Sequence, residues 1–154
     1  MARQTGTNKN TTRAAKKAAL QISSECLNLR ARRLSRLITR IYDDALRPHG
    51  LKAPQLSLLA AIALMTPAKQ SELGQVLDLE KSTLSRSVGR MIDKGWIRTS
   101  TSGSGRVLTL SLTKVGEQLL RDIVPAWRKA QKQAHRLIGS DGLRALDEMA
   151  PALR

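Results

Sequence analysis

The residues best suited to chemistry in this sequence lie between Lys81 and Ile92, where apolar and polar side chains alternate with a helical period. The side expected to be buried carries Leu84, Val88, Met91 and Ile92. The opposite side carries side chains that can hydrogen-bond to a ligand, namely Ser82, Thr83, Ser85, Arg86 and Arg90. An arginine guanidinium matches the O6 and N7 acceptors of guanine, and hydroxyl groups contact bases or phosphates. The pattern therefore predicts a helix that contacts the base edges of DNA.

The overall charge also indicates a polyanionic partner. The chain has 154 residues, with 27 Lys and Arg against 12 Asp and Glu, and a formal net charge of +15. Net charge governs partners and solubility rather than fold, and nucleic acid is the commonest polyanion in a cell. A membrane surface and an acidic protein are the competing partners on charge alone.

Other function classes find no support in the residue types. Cys26 is the only cysteine and there are two histidines, so neither an internal disulfide nor a zinc site is expected, and we predict no cofactor. No apolar run approaches the ~20 residues of a membrane helix, and the basic N terminus lacks the apolar core of a secretory signal. Asp43 and Asp44 are adjacent and point in different directions, so they make no acid–base pair. We therefore predict a cytoplasmic protein that is not an enzyme and has no membrane partner.

Hydrophobic period and breaker residues predict the elements that position the polar helix. Predicted helices cover residues 22–50, 53–66, 71–77, 81–94 and 113–138, with a last short helix from about Ser140. Strands at residues 96–99 and 107–112 flank a Ser- and Gly-rich turn and predict a β-hairpin. Thr113 is expected to cap the long helix, and Pro125 is expected to kink it.

These elements define a mainly α fold with a small β-hairpin wing, a winged helix-turn-helix. Residues 51–112 are predicted to be the DNA-binding module within a single domain, 22–154. The apolar stripe of the long helix exceeds what one small core can cover, so we expect a second copy of the chain to cover it. Residues 1–21 are predicted to be a basic, disordered arm with a nascent helix near Ala14–Leu20, and the arm is either a DNA contact or a solvated tail.

The order of several short motifs resembles that of MarR-family regulators. The motifs are Gly50–Leu56, Leu73–Gly74, Lys81–Arg86, Asp93–Ile97 and Leu110–Gly116. The resemblance implies a homodimer in which residues 22–50 and 113–154 are the dimerisation helices. Its two winged modules are expected to straddle a palindromic operator in double-stranded DNA. It also implies that Arg106, at the wing tip, enters the minor groove, although the acidic residue of the family pattern is missing before it. Arg98, at the wing base, is expected to contact phosphate.

The same resemblance bears on regulation. Cys26 begins the first family helix, where peroxide-sensing members place a reactive cysteine, and Arg30 one turn later could stabilise a thiolate. The alternative is a buried structural cysteine, and the tyrosine of sensing members is missing. Other members bind small anionic or phenolic molecules, and the candidate effector-binding residues here are Tyr42, His49 and Trp127.

The sequence thus predicts a sequence-specific transcriptional regulator, a repressor that binds its operator as a homodimer and is released by a small-molecule effector or by thiol oxidation. The alternative is a non-specific architectural DNA-binding protein, for which the net charge and the basic arm would suffice.

Overall fold

The computed structural model describes residues 5–102 and 107–149 of the chain. Its helices are α1 (Thr5–Glu25), α2 (Leu27–Leu46), α3 (Ala53–Leu64), α4 (Gln70–Val76), α5 (Lys81–Asp93), α6 (Lys114–Asp122) and α7 (Val124–Met149). A 3-10 turn, Arg47–His49, follows α2. The strands are β1 (Ala68–Lys69), β2 (Ile97–Ser102) and β3 (Val107–Leu112). The chain forms two compact units, Met1–Ile38 and Thr39–Arg154.

The second unit confirms the predicted fold class, mainly α with a small β wing. Helices α3, α4 and α5 are followed by the β2–β3 hairpin, which is the order of a winged helix-turn-helix. The sheet is antiparallel with strand order β1-β3-β2, and β1 pairs Ala68 with Leu110. The sequence did not predict β1, because two residues are too few to show a strand period.

The first unit differs from the prediction made for residues 1–21. Helix α1 begins at Thr5 and continues to Glu25, so it extends well beyond the nascent helix predicted near Ala14–Leu20. Alanine, lysine, glutamine and arginine all favour helix, whereas the prediction relied on an apolar period that this segment lacks. Helices α1 and α2 are separated only by Cys26, whose N–H still donates to the Ile22 carbonyl at 3.0 Å. The predicted helix start at residue 22 was therefore wrong.

The core of the second unit is aliphatic, as a chain with no phenylalanine requires. Its most buried side chains are Leu46, Leu51, Leu58, Leu59, Ile62, Leu73, Leu84, Met91, Leu110 and Ile123. They come from α2, α3, α4, α5, the sheet and the α6–α7 junction. The core therefore holds the two helices of the helix-turn-helix against α3 and the wing.

The long C-terminal helix of the prediction is divided in the structure. Helix α6 ends at Asp122 and α7 starts at Val124, so Pro125 lies in the first turn of a new helix, where its missing N–H costs no hydrogen bond. Gly139 has φ 73° and ψ 170° and interrupts α7. The left-handed φ suits glycine, and the predicted short last helix follows it.

Candidate nucleic-acid interface

A tight turn joins α4 to α5. Asp78 has a left-handed φ of 49°, and the Leu79 N–H donates to the Gly74 carbonyl at 2.9 Å. A Cβ atom on Gly74 would lie 3.3 Å from the Leu79 oxygen, so the backbones approach closely. This turn sets the direction in which α5 leaves α4.

Helix α5 separates its apolar and polar residues by face. Leu84, Val88 and Met91 are 2%, 6% and 0% exposed, which confirms that this face is buried. Ile92 was predicted to be buried with them but is 39% exposed. It lies at the edge of the apolar arc, one position beyond Met91. The residues predicted to contact DNA are all exposed, namely Ser82, Thr83, Ser85, Arg86 and Arg90.

The two arginines of α5 carry positive charge on this exposed face without an acidic partner in the described residues. Arg86 Nε donates to the Ser82 carbonyl and Arg90 Nε donates to the Arg86 carbonyl, each at 3.2 Å. These bonds lay the side chains along the helix, and the Nη groups of both guanidinium forks have no acceptor among residues 5–102 and 107–149. Such groups can form paired hydrogen bonds with a base edge or a phosphate.

A bond between α4 and α5 was not predicted from the sequence. Gln70 Nε2 donates to Ser85 Oγ at 2.9 Å, so Ser85 links the first residue of α4 to the exposed face of α5. The two residues are far apart in sequence, and no local pattern could have paired them. Ser85 therefore has a positioning role as well as its predicted contact role.

The wing hairpin has a regular register from Ile97↔Leu112 to Ser102↔Val107. Arg98 is exposed near its base, opposite Ser111. Buried Thr109 donates to the Ser100 carbonyl at 3.1 Å and thereby braces the two strands. Arg106 lies outside the described residues, so its predicted minor-groove role stays a prediction.

Lys94, at the end of α5, connects this helix to the segment between α2 and α3. Its Nζ atom donates to the Gly50 carbonyl at 2.7 Å and lies 4.4 Å from the centre of the Trp96 ring. Thr113 caps α6, as predicted, by accepting a hydrogen bond from the Gly116 N–H at 3.1 Å. The end of α5 and the start of α6 are thus each fixed by a side-chain hydrogen bond.

The predicted regulatory residues are found in different surroundings. Cys26 is partly exposed, and the Arg30 guanidinium donates to the Ser24 carbonyl rather than to the Cys26 sulfur. In the second unit, His49 lines a cleft of about 370 Å³ between the end of α2 and α7. The cleft is lined by Ile41, Asp44, Ala45, Pro48, His49, Ala126, Lys129 and Gln133.

The other two predicted effector residues lie outside this lining. The Tyr42 hydroxyl donates to Gln131 Oε1, and burial raises the pKa of Tyr42 above its ordinary value. Trp127 is 38% exposed. Lys129 and Asp44 are the charged groups of the cleft that sequence reasoning missed, because nothing local connects them.

Residues 5–102 and 107–149 offer neither a metal site nor a membrane-spanning helix. No group of three or more His, Cys, Asp or Glu side chains in this part of the chain could hold a metal ion. None of the helices described is both long and apolar enough to cross a membrane.

A helix-turn-helix that packs on the aliphatic core and is followed by a hairpin defines the chain as a winged helix-turn-helix protein. The second helix of this unit exposes two arginines that have no acidic partner in the described part of the chain. A family model described as MarR family matches residues 49–106. The transcriptional regulator MosR of M. tuberculosis, solved in complex with DNA, is 32% identical with a TM-score of 0.68, covering 84% of this chain and 99% of that one. The chain belongs to the MarR family, whose members are transcriptional regulators and not enzymes.

Two solved structures of lower identity support the fold alone. A probable transcriptional regulator from Pseudomonas aeruginosa is 21% identical with a TM-score of 0.76, covering 85% of this chain and 98% of its own. A mutant MarR from E. coli, complexed with operator DNA, is 18% identical with a TM-score of 0.76, and the match covers 87% of this chain and 97% of that one.

The uncharacterized HTH-type transcriptional regulator YwoH of Bacillus subtilis is 29% identical over 89 residues, which is 58% of this chain and 65% of that protein.

Proposed function

We propose that this chain is a repressor that binds a palindromic operator as a homodimer and is released by a small ligand or by thiol oxidation. Thr83, Arg86 and Arg90 contact bases in the major groove, with Ser82 and Ser85 beside them. Arg106 enters the minor groove, and Arg98 contacts phosphate. DNA binding by the similar MosR and MarR proteins, as their structures are described, supports the assignment of DNA as the partner.

The observation that carries this proposal is the charge and exposure of α5. Its apolar face is buried to 6% exposure or less at Leu84, Val88 and Met91, so the helix can turn only its other face outward. That face carries two arginines with unpaired Nη groups and short hydroxyl side chains. Short side chains allow the backbone to approach a duplex, and arginine forks recognise guanine.

Dimerisation is supported by apolar side chains exposed on the single chain. In α7, Val124, Trp127, Leu137, Leu146 and Met149 are between 37% and 51% exposed. A second copy of the chain would cover these side chains, and a two-fold symmetric operator requires such a dimer. We expect a dimer in sedimentation equilibrium for the wild type and a folded monomer for Leu137→Asp, because Leu137 is already 47% exposed. Arg136→Asp is the matched control and should remain a dimer. If Leu137→Asp also remains a dimer, dimerisation through α7 is contradicted.

Sequence-specific binding is tested by selecting duplexes from a random pool with the purified protein. The selected operator is then labelled and competed with unselected random DNA at rising salt. We expect a two-fold symmetric consensus that keeps its advantage over random DNA as salt rises, since non-specific binding depends mostly on phosphate contacts. If no sequence is enriched and binding to all duplexes falls equally as salt rises, the architectural DNA-binding protein is favoured instead.

Release is tested on the same complex with two kinds of signal. A small aromatic carboxylate fits the charge of Lys129 and the size of the α2–α7 cleft, and we expect Lys129→Gln to weaken its effect. Peroxide is expected to release DNA from the wild type and not from Cys26→Ser. If both proteins respond equally to peroxide, Cys26 is not the sensor.

A further inference from the structure

The positive charge of the chain is concentrated in the first unit. Residues 1–38 contain nine of the 27 Lys and Arg but only one of the 12 Asp and Glu, namely Glu25. Glu25 accepts a hydrogen bond from Gln21 Nε2 at 3.4 Å, and no ion pair with it is formed by the described cations of this unit. This charge is therefore available to a partner.

The cations of α1 are arranged along one side of the helix. Arg13, Lys16 and Lys17 are spaced three and four residues apart, are all exposed, and line one surface depression together with Leu20. Positions three and four apart are neighbours on a helix surface, so the three charges form a continuous group. We call Arg13, Lys16 and Lys17 the α1 basic stripe. None of its side chains has an acceptor within the described residues.

We propose that the α1 basic stripe is a second DNA-binding surface, which contacts the phosphates of duplex DNA flanking the operator. The proposal rests on the proposed function and adds a surface that does not read sequence. Lysine and arginine in a row, with no aromatic side chain to stack on bases, suit the phosphate backbone. A duplex carries one negative charge per ~1.7 Å of axis, so a stripe about one helical turn long meets several phosphates.

The opposite side of α1 argues against a membrane surface as the partner. It carries Ala15, Ala18, Ala19 and Ile22, and the large exposed apolar side chains of α1 are only Leu20 and Ile22, near its C-terminal end. Helices that lie in a membrane interface bury large apolar side chains such as Trp, Phe or Leu, and alanine methyl groups bury little area. Electrostatic attraction to a rigid array of phosphates needs no apolar face.

The test measures the gain in affinity from flanking DNA. The full-length protein is bound to the selected operator as a core duplex, and to the same core extended by about ten base pairs, one helical turn, at each end. The variant is Arg13→Gln with Lys16→Gln and Lys17→Gln, which keeps helix propensity. The matched control, Arg128→Gln with Lys132→Gln and Arg136→Gln, removes equal charge from exposed positions of α7.

We expect the wild type and the control to bind the extended duplex about tenfold more tightly than the core, and the α1 variant to lose this gain. Its slope of log affinity against log salt should fall by roughly 2–3 per protomer, since each phosphate contact contributes about 0.9. Lys16→Arg with Lys17→Arg, which keeps the charge, should keep the gain. Unchanged circular dichroism of all variants confirms that they are folded.

Three results would overturn the inference. The wild type could gain nothing from flanking DNA, or the α1 variant could keep both the gain and the slope. Alternatively, the variant could lose binding to anionic phosphatidylserine vesicles while its DNA binding stays unchanged, which would assign the stripe to a membrane. Failure of the proposed function is distinct from all three, because the wild type would then not prefer the selected operator over random DNA.

Discussion

Gly116 lies directly against the backbone carbonyl of Trp96, and a Cβ atom on Gly116 would stand 2.0 Å from that oxygen. The same carbonyl accepts a hydrogen bond from the Thr113 N–H at 3.0 Å. The residue before β2 and the first turn of α6 are therefore in backbone contact, and this contact leaves no room for a side chain.

Replacing Gly116 with alanine should destabilise the fold, because neither backbone can move without breaking the Thr113 bond. We expect Gly116→Ala to lower the free energy of unfolding by about 2–3 kcal/mol, in the range of overpacked sites. Urea denaturation measures the change. A loss below about 0.5 kcal/mol would show that α6 can shift away from the wing.

Gly89→Ala is the matched control within α5. A Cβ atom there meets nothing within 4 Å, and the residue lies inside a helix. We expect this change to raise the free energy of unfolding by roughly 0.5–1 kcal/mol, because alanine loses less backbone entropy than glycine on forming helix. Destabilisation by the same amount would contradict the open surroundings of Gly89.

The adjacent carboxylates Asp43 and Asp44 should differ in their contribution to stability. Asp43 Oδ1 accepts a hydrogen bond from the Ala53 N–H at 2.8 Å and so caps α3, whereas Asp44 pairs with Arg47 on the surface. We expect Asp43→Ala to cost about 1 kcal/mol and Asp44→Ala less than about 0.5 kcal/mol. Thermal denaturation measures the loss of stability in each variant. Equal losses would contradict the capping role of Asp43.

Tyr42→Phe should change how stability depends on pH. Because burial raises the pKa of Tyr42, the neutral phenol is favoured in the folded chain. Its contribution is complete below the ordinary pKa of 10.0 and is lost as pH rises through the raised value. We expect the urea midpoint of the wild type to fall more steeply above pH ~10 than that of Tyr42→Phe. Parallel profiles would mean that another group controls alkaline stability.

Arg86→Ala should weaken binding to the selected operator by about 1–3 kcal/mol and relax the preference at one base pair. Competition with operators altered at single positions measures both effects. Arg121→Ala, on the exposed surface of α6, is the control and should leave both unchanged. An equal loss on all sequences would assign Arg86 to a phosphate instead.

Sequence reasoning predicted the second unit well where a local period existed. The apolar face of α5, the start of α3 at Ala53 and the Thr113 cap all follow from spacing and residue type within one element. The division of the long helix at Ile123 was missed, because Pro125 is equally compatible with a kinked helix and with the first turn of a new one.

The parts of the site that sequence could not supply depend on tertiary contacts. The Gln70–Ser85 bond, the Lys94 contacts and the lining of the α2–α7 cleft join residues that no local pattern relates. The part of α1 before Ala14 was missed for another reason: its helix formation depends on intrinsic propensity, which hydrophobic spacing does not report.

The pairing of Ala68 with Leu110 also has a consequence for folding. It closes a loop that contains α4, α5 and β2, so the entropy cost of closure falls on a contact between distant parts of the chain. During synthesis the three-stranded sheet cannot form until β3 has emerged from the ribosome. Helix α5 is therefore expected to take its final position late, after the individual helices have formed.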